Sequence, residues 1–455
     1  MREGAGSGAT SGLTKGLASG LNWRRALPVA ALTAVGYALT LRVFYPGVMT
    51  WDAWYVHSYI AKNVVGDWQS PVMTKLWALI DPLAPGAASM FLFIATLYWL
   101  AFAVLAVALA RRSPWLGPGV LVLALAPPAF EFVGIIWRDT LLAASWLLAA
   151  ALAYAVAERP RGLWRLAAQG LALALLAFGF LLRPNALFAG PILAAYLIWP
   201  ARFVLKRAAV LYVPAAAALA LLVPLVYYAM LGAKHEHAVQ SIFVFDLAGI
   251  THFTHENQFP VAWSADENAM LIGPCYHATT FDNYWIRKPC LFVMKKLEAE
   301  KIFGSSALAR AWVHAIAAHP LAYLEHRAGV IENFLVNRNL TMFTTDIAHP
   351  PQTVFPGNAW FAALRSIDDR LAATPVLRAG TWMLLCALWC LLAWRRRATP
   401  SGAFVLGVCG SAVVYMATFF PAAVAGDFRY ALWAVLAALG GAAALMVRDA
   451  KPSAA

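Results

Sequence analysis

The chain has 455 residues, 62% of them hydrophobic and only 13% charged, with a mean hydropathy of +0.66. That balance excludes an ordinary soluble domain and points to an integral membrane protein. The net charge of +13 would suggest a nucleic-acid partner in a soluble chain, so the placement of the charges decides what it means.

Residues 1–25 open the chain with a Gly/Ser/Ala-rich stretch that reads as a disordered cytoplasmic tail and lacks the apolar core of a cleavable signal. Apolar runs of about 18 to 25 residues follow, each long enough to cross a hydrocarbon core of about 30 Å as a helix. They predict helices near 26–44, 87–110, 116–134, 139–157, 164–182, 184–200, 208–231, 376–394, 402–421 and 429–447. Basic clusters fall at alternate ends of these runs: Arg24-Arg25, Arg111-Arg112, Arg159/Arg161/Arg165, Arg202/Lys206/Arg207, Arg395-Arg396-Arg397 and Arg448/Lys451. Such ends are expected in the cytoplasm. With Arg2 and Lys15, these segments hold 17 Lys+Arg against Glu3, Glu158 and Asp449, leaving 18 basic and 19 acidic residues elsewhere. Topology therefore accounts for the basic excess, and no nucleic-acid partner is expected.

The fold class is thus an all-α integral membrane protein of about ten transmembrane helices, with both termini cytoplasmic in the inner (plasma) membrane. Residues 26–231 form an N-terminal transmembrane module, 376–447 the C-terminal helices and 448–455 a cytoplasmic tail. Two non-cytoplasmic loops are large. In the first, 45–86, Trp51, Trp54, Tyr55, Tyr59, Trp68 and Trp77 are interleaved with His57, Lys62 and Lys75, a composition suited to interfacial helices. The second, 232–375, carries apolar residues at helical spacing between stretches rich in breakers, and reads as a small helical periplasmic subdomain. It holds Cys275 and Cys290, whose pairing depends on an oxidising compartment and is left open by spacing alone; Cys386, Cys390 and Cys409 lie in apolar runs. Asn339-Leu-Thr341 fits a glycosylation acceptor.

Ionisable residues at a membrane boundary are expensive and need a reason. On the outer face they are Asp52, Glu131, Arg138, Asp139, Arg183, Asp427 and Arg429. Each alone has a structural reading as a local ion pair or helix-end anchor. Together they bring three arginines and several carboxylates from separate helix ends to one face. Arginines can hold a lipid phosphate by forked hydrogen bonds, while a carboxylate takes the proton from a hydroxyl attacking a sugar carbon. His235, Glu236, His237, His252, His255 and Glu256 match no zinc-protease spacing and read as solvated loop residues, with a divalent metal left open. No glycine loop suited to cradling phosphates is present, so nucleotide-sugar or ATP chemistry has no support, and no cofactor is expected.

Five segments carry a family resemblance: "YPGVMTWDAW", "WRDTLLAA", "LLRPNALFAGP", "HPLAYLEHR" and "GDFRYALW". In order and topology they resemble the membrane glycosyltransferases of the GT-C superfamily. The likeness is to bacterial enzymes that use polyprenyl-phosphate-linked sugars, relatives of the protein mannosyltransferases and lipid A aminoarabinose transferases. The resemblance implies an inverting transfer from a polyprenyl-phosphate-sugar donor to a glycan, lipid or protein acceptor. It implies Asp52 as catalytic base, a second acidic position at Asp139 or Glu131, and Arg183, Arg429 and Arg138 at the lipid phosphate. Trp51, Tyr55, His57, Gln69, His319 and Tyr430 are then expected in the substrate pocket. Relatives often carry "HP" where this chain has Gln69-Ser70-Pro71, a departure at that position. The alternative is a transporter or flippase of a lipid-linked anionic substrate, which would concentrate charge near the bilayer midplane.

Overall fold

The computed structural model describes residues 23–286, 288–336, 345–346 and 352–449. The tail before residue 23, the Asn339-Leu-Thr341 sequon and residues 450–455 lie outside them. The described chain is helical apart from isolated bridges and a two-residue antiparallel pairing of Thr345–Asp346 with Gln352–Thr353. In chain order, the first half comprises α1 (Trp23–Phe44), α2 (Trp51–Ala61), α3 (Pro71–Ile80), α4 (Ala87–Ala110), α5 (Leu116–Leu123), α6 (Pro127–Phe130), α7 (Arg138–Val156), α8 (Leu163–Leu182), α9 (Gly190–Ile198) and α10 (Leu205–Leu222). The second comprises α11 (Gln240–Thr254), α12 (Ala265–Ile272), α13 (Phe292–Ala299), α14 (Ser306–Ala318), α15 (Pro320–Leu335), α16 (Ala359–Leu371), α17 (Ala379–Trp394), α18 (Pro400–Ala417), α19 (Phe419–Ala422) and α20 (Leu432–Leu445).

Seven helical spans among the described residues are long and apolar enough to cross a membrane, or eight if the bent pair Leu116–Leu123 and Pro127–Gly134 counts as one. Ten were expected, and proline interrupts or shortens each of the other three predicted runs. In the predicted 116–134 helix, Pro127 holds Ala126 at ψ 129° and so out of the helical region, and the chain turns by 66°. The predicted 184–200 helix opens with a 3₁₀ turn at Pro184–Phe188, leaving only Gly190–Ile198 as α-helix. Near 376–394, Pro375–Leu377 forms another such turn and α17 keeps 16 residues, roughly 24 Å at 1.5 Å per residue.

Helix α7 is the axis of the bundle: it packs most extensively on α4 and α8 and also meets α18 and α20. Its Trp146 indole donates to Leu176 O of α8 at 3.1 Å. The helices approach closely because Gly179 has no Cβ, which would stand 2.4 Å from that indole. At the C-terminal end of α7 the basic clusters converge: Arg112 pairs with Glu158 (2.5 Å) and Asp449 (3.3 Å), and Arg396 reaches Asp449 at 3.4 Å. At its N-terminal end the acidic and arginine-bearing helix ends gather instead.

The segment leading into α2 is pinned there. Val48 N donates to Gly134 O at 2.8 Å and Ile136 N to Val48 O at 3.2 Å, a parallel bridge just ahead of Arg138. Gly47, at φ +100°, is required: a Cβ would sit 2.7 Å from Cβ of Phe91. The interfacial reading of the first loop corresponds to two short helices, α2 and α3. Residues 240–335 fold as a helical unit in which α11 packs against α14 and α15, with Cys275 and Cys290 joined by a disulfide.

Candidate active site

Asp52 stands in the first turn of α2 but does not cap it. Thr50 is the cap, accepting from Ala53 N at 3.4 Å and from Trp137 Nε1 at 2.9 Å, so the Asp52 carboxylate is released for other partners. Gln69 Nε2 donates to Asp52 Oδ1 at 3.0 Å, and the Arg429 guanidinium pairs with Oδ2. Gln69 is held in place because the next residue, Ser70, caps α3 by accepting from Met73 N at 3.3 Å and donates to Leu181 O at 2.9 Å. Gln69 therefore supplies a neutral amide at the carboxylate. Burial would raise the Asp52 carboxyl, but Arg429, Arg138 and Arg183 outweigh it and hold the group below its ordinary range.

The three arginines converge as expected but are committed to different degrees. Arg183, at the end of α8, is 2.5 Å from Asp139 of α7, both side chains buried. Arg429 also binds Asp427 Oδ2 through Nε at 2.9 Å and lies 4.9 Å from the Trp137 ring centroid. Tyr430 covers both, its centroid 5.1 Å from Arg183 and 5.4 Å from Arg429, and stacks on Phe419 at 4.4 Å. Arg138 lies among the charges of Arg183, Asp139, Asp52 and Arg429. Among the described residues its one hydrogen bond is a 3.5 Å contact to Trp68 O, which leaves most of its five N–H donors for a ligand.

Asp52 opens into a cavity of about 300 Å³ walled by Trp51, Tyr55, Trp68, Trp285 and Phe303, with Gln69, Glu236 and Glu298. The side chain of Asp52 is 29% exposed and that of Asp139 2%, so of these two carboxylates only Asp52 can meet a substrate. Trp51, Tyr55 and Gln69 line the cavity as expected. Other expected residues do not join it. Glu131 is buried against Asp368 of α16, because the proline bend turns it away from Asp52. His57 points to the far side of α2, 3.3 Å from Asp81 Oδ1 and 5.1 Å from the Trp77 centroid. His319 occupies the junction of α14 and α15 and does not line the cavity.

Glu236 belongs to the site although its local sequence reads as solvated loop. Its carboxylate accepts from Tyr55 (2.7 Å), from Tyr59 and from Trp68 N (2.8 Å), tying α2 to the loop ahead of α11. Trp285, Glu298 and Phe303 also line the wall without a local motif to mark them; Trp285 packs on Trp68 at 5.2 Å between centroids. No group of three or more His, Cys, Asp or Glu able to hold a metal gathers among the described residues. Compared with protein-family models, with characterised proteins and with solved structures, the chain matches none.

Proposed function

We propose that this protein is a membrane glycosyltransferase of the GT-C type, moving a sugar from a polyprenyl-phosphate donor to a hydroxyl of a lipid, glycan or protein acceptor. The observation that carries this reading is the juxtaposition at Asp52: an ionised, accessible carboxylate in an aromatic-walled cavity, beside an arginine with uncommitted donors. Aromatic faces suit the apolar faces of sugar rings, and Arg138 suits a phosphate oxygen through its planar fork.

In the proposed reaction the acceptor oxygen attacks the anomeric carbon as the bond from that carbon to the phosphate oxygen breaks. Asp52 takes the hydroxyl proton, and the departing polyprenyl phosphate keeps the electron pair, its charge stabilised by Arg138 with Arg183 and Arg429 behind it. One direct displacement inverts the anomeric centre. Gln69 and Arg429 orient the carboxylate and keep it ionised until the proton arrives.

The same reading sets the membrane topology: ten crossings, some bent or short, with residues 45–86 and 232–375 outside and both termini in the cytoplasm. It is supported by the convergence of the basic clusters at one end of α7 and of Asp52, Arg138, Arg183 and Arg429 at the other. The Cys275–Cys290 disulfide agrees with an oxidising outer compartment. A transporter reading is disfavoured because these charges stand at helix ends instead of midway along them.

Mass spectrometry of surface glycolipids and glycans from a deletion strain identifies sugar and acceptor together. With that pair in hand, transfer by purified, folded Asp52→Asn in nanodiscs is the test. Asparagine keeps the size and part of the hydrogen bonding but cannot take the proton, so turnover is expected to fall on the order of 10²–10⁴-fold while donor binding persists. Near-wild-type turnover overturns the assignment, and donor movement across the bilayer without transfer favours the transporter.

A further inference from the structure

Residues 423–429 form a strap that carries Asp427 and Arg429 to Asp52, and its placement does not come from the membrane helices alone. Phe281 N donates to Val424 O at 2.7 Å and Gly426 N to Thr279 O at 2.9 Å, an antiparallel bridge between 279–281 and 424–426. Upstream of it, Arg327 of α15 donates through Nη1 to Ala423 O at 2.7 Å. The other arm of that guanidinium, Nη2, lies 2.6 Å from Asp246 Oδ1 of α11, a fully buried carboxylate. Asp246 is itself fixed by Trp312 Nε1 of α14 at 2.7 Å and lies 3.2 Å from His326 Nε2. The strap ends where the Asp427 side chain accepts from Arg429 N at 3.0 Å and pairs with its Nε, aiming the guanidinium at Asp52.

A buried ion pair is weak support for stability, since packed apolar residues would serve as well. Its retention here needs another account, and the fork of Arg327 gives one: a single planar cation joins the 240–335 unit to the backbone that presents Arg429. We propose that Asp246 and Arg327 are positioning residues for the Asp52 site, fixing the strap 423–427 so that Arg429 meets the catalytic carboxylate. The consequence for catalysis rests on the function proposed above; the mechanical link does not.

Amide hydrogen exchange on the purified full chain in nanodiscs tests the link without any substrate. In wild type, the Phe281 and Gly426 amides are expected to exchange slowly although they lie outside long helices. Arg327→Lys keeps the charge and can still pair with Asp246, but a single ammonium cannot span both partners. It is expected to speed exchange across 424–426 on the order of 10-fold while α11 amides stay protected. Wild-type amides that exchange like an open loop overturn the proposal even if the variant does not fold, as do unchanged 424–426 amides in a folded variant.

The catalytic arm uses the pH profile. The charged groups facing Asp52 are Arg429 and Asp427 on the strap, Arg138 at the start of α7 and Arg183 at the end of α8, with Glu236 and Glu298 in the same cavity. Loosening Arg429 alone is expected to move the acid limb of kcat/KM to higher pH in Arg327→Lys, whereas a loss of folded protein lowers the rate without moving the limb. An unmoved limb together with an inactive Asp52→Asn rejects the positioning role. An active Asp52→Asn rejects the proposed function instead, and the link is then decided by exchange alone.

Discussion

Arg138, Arg183 and Arg429 carry the same charge, yet their neighbours give them different work. Arg183 is spent on Asp139, a buried pair 2.5 Å apart, and removing one member of such a pair strands the other in low dielectric at a cost of about 3–5 kcal/mol. Arg183→Met should therefore be read in the melting temperature. Arg138, with its single long contact to Trp68 O, has little folding role to lose. Arg138→Lys should leave the melting temperature close to wild type and raise the donor KM by roughly 10-fold, because an ammonium cannot grip two phosphate oxygens in one plane. The reverse pattern, a destabilised Arg138→Lys with unchanged donor KM, would remove Arg138 from the phosphate site.

Among elements, α3 and α16 show how a short helix positions the site. Ser70 both caps α3 and bonds to Leu181 O, two residues before Arg183. Ser70→Ala should cost about 1–2 kcal/mol through the lost cap and carbonyl partner, and because Gln69 precedes it, kcat should fall along with stability. Helix α16 brings a second buried carboxyl, Asp368, close to Glu131, and burial raises the Asp368 pKa. A carboxyl whose folded pKa is raised binds its proton more tightly in the folded state, so its contribution weakens as pH climbs from the unfolded value of about 4 through the folded one. Thermal melts should therefore decline with rising pH through this pair. Glu131→Gln, whose amide can donate to an ionised Asp368, should flatten that decline; an unchanged slope would mean the two carboxyls do not share a proton.

At the scale of the molecule, the two ends of α7 differ in kind. One end joins Arg112 and Arg396 to the buried Asp449, with Glu158 on Arg112; the other gathers Asp139 and three arginines behind Asp52, which lines the cavity. The proposed topology puts the first end in the cytoplasm and the second outside. A reporter fused within residues 240–300 is expected to give an extracytoplasmic signal, and an accessible cytoplasmic reporter there would sink both the orientation and a site that uses lipid-linked donors on the outer face.

Apolar run length and basic clustering were enough to read seven of the long helices, since a span must satisfy its backbone internally over about 30 Å and that demand is written locally. Asp52, Trp51 and Tyr55 were legible for a related reason: an acid and aromatic rings directly after an apolar run are costly unless they serve an interface or a site; Gln69 was expected only through the family resemblance. Tertiary structure alone decided the rest. The proline bend that sends Glu131 to Asp368, the rotation of α2 that carries His57 away, and the arrival of Glu236 at Tyr55 and Tyr59, 181 and 177 residues distant in sequence, depend on how separate helices pack. So does the pairing of Arg183, and not Arg138, with Asp139 among the described residues, because an arginine's availability is set by whichever carboxylate folds against it, and no local pattern records that partner.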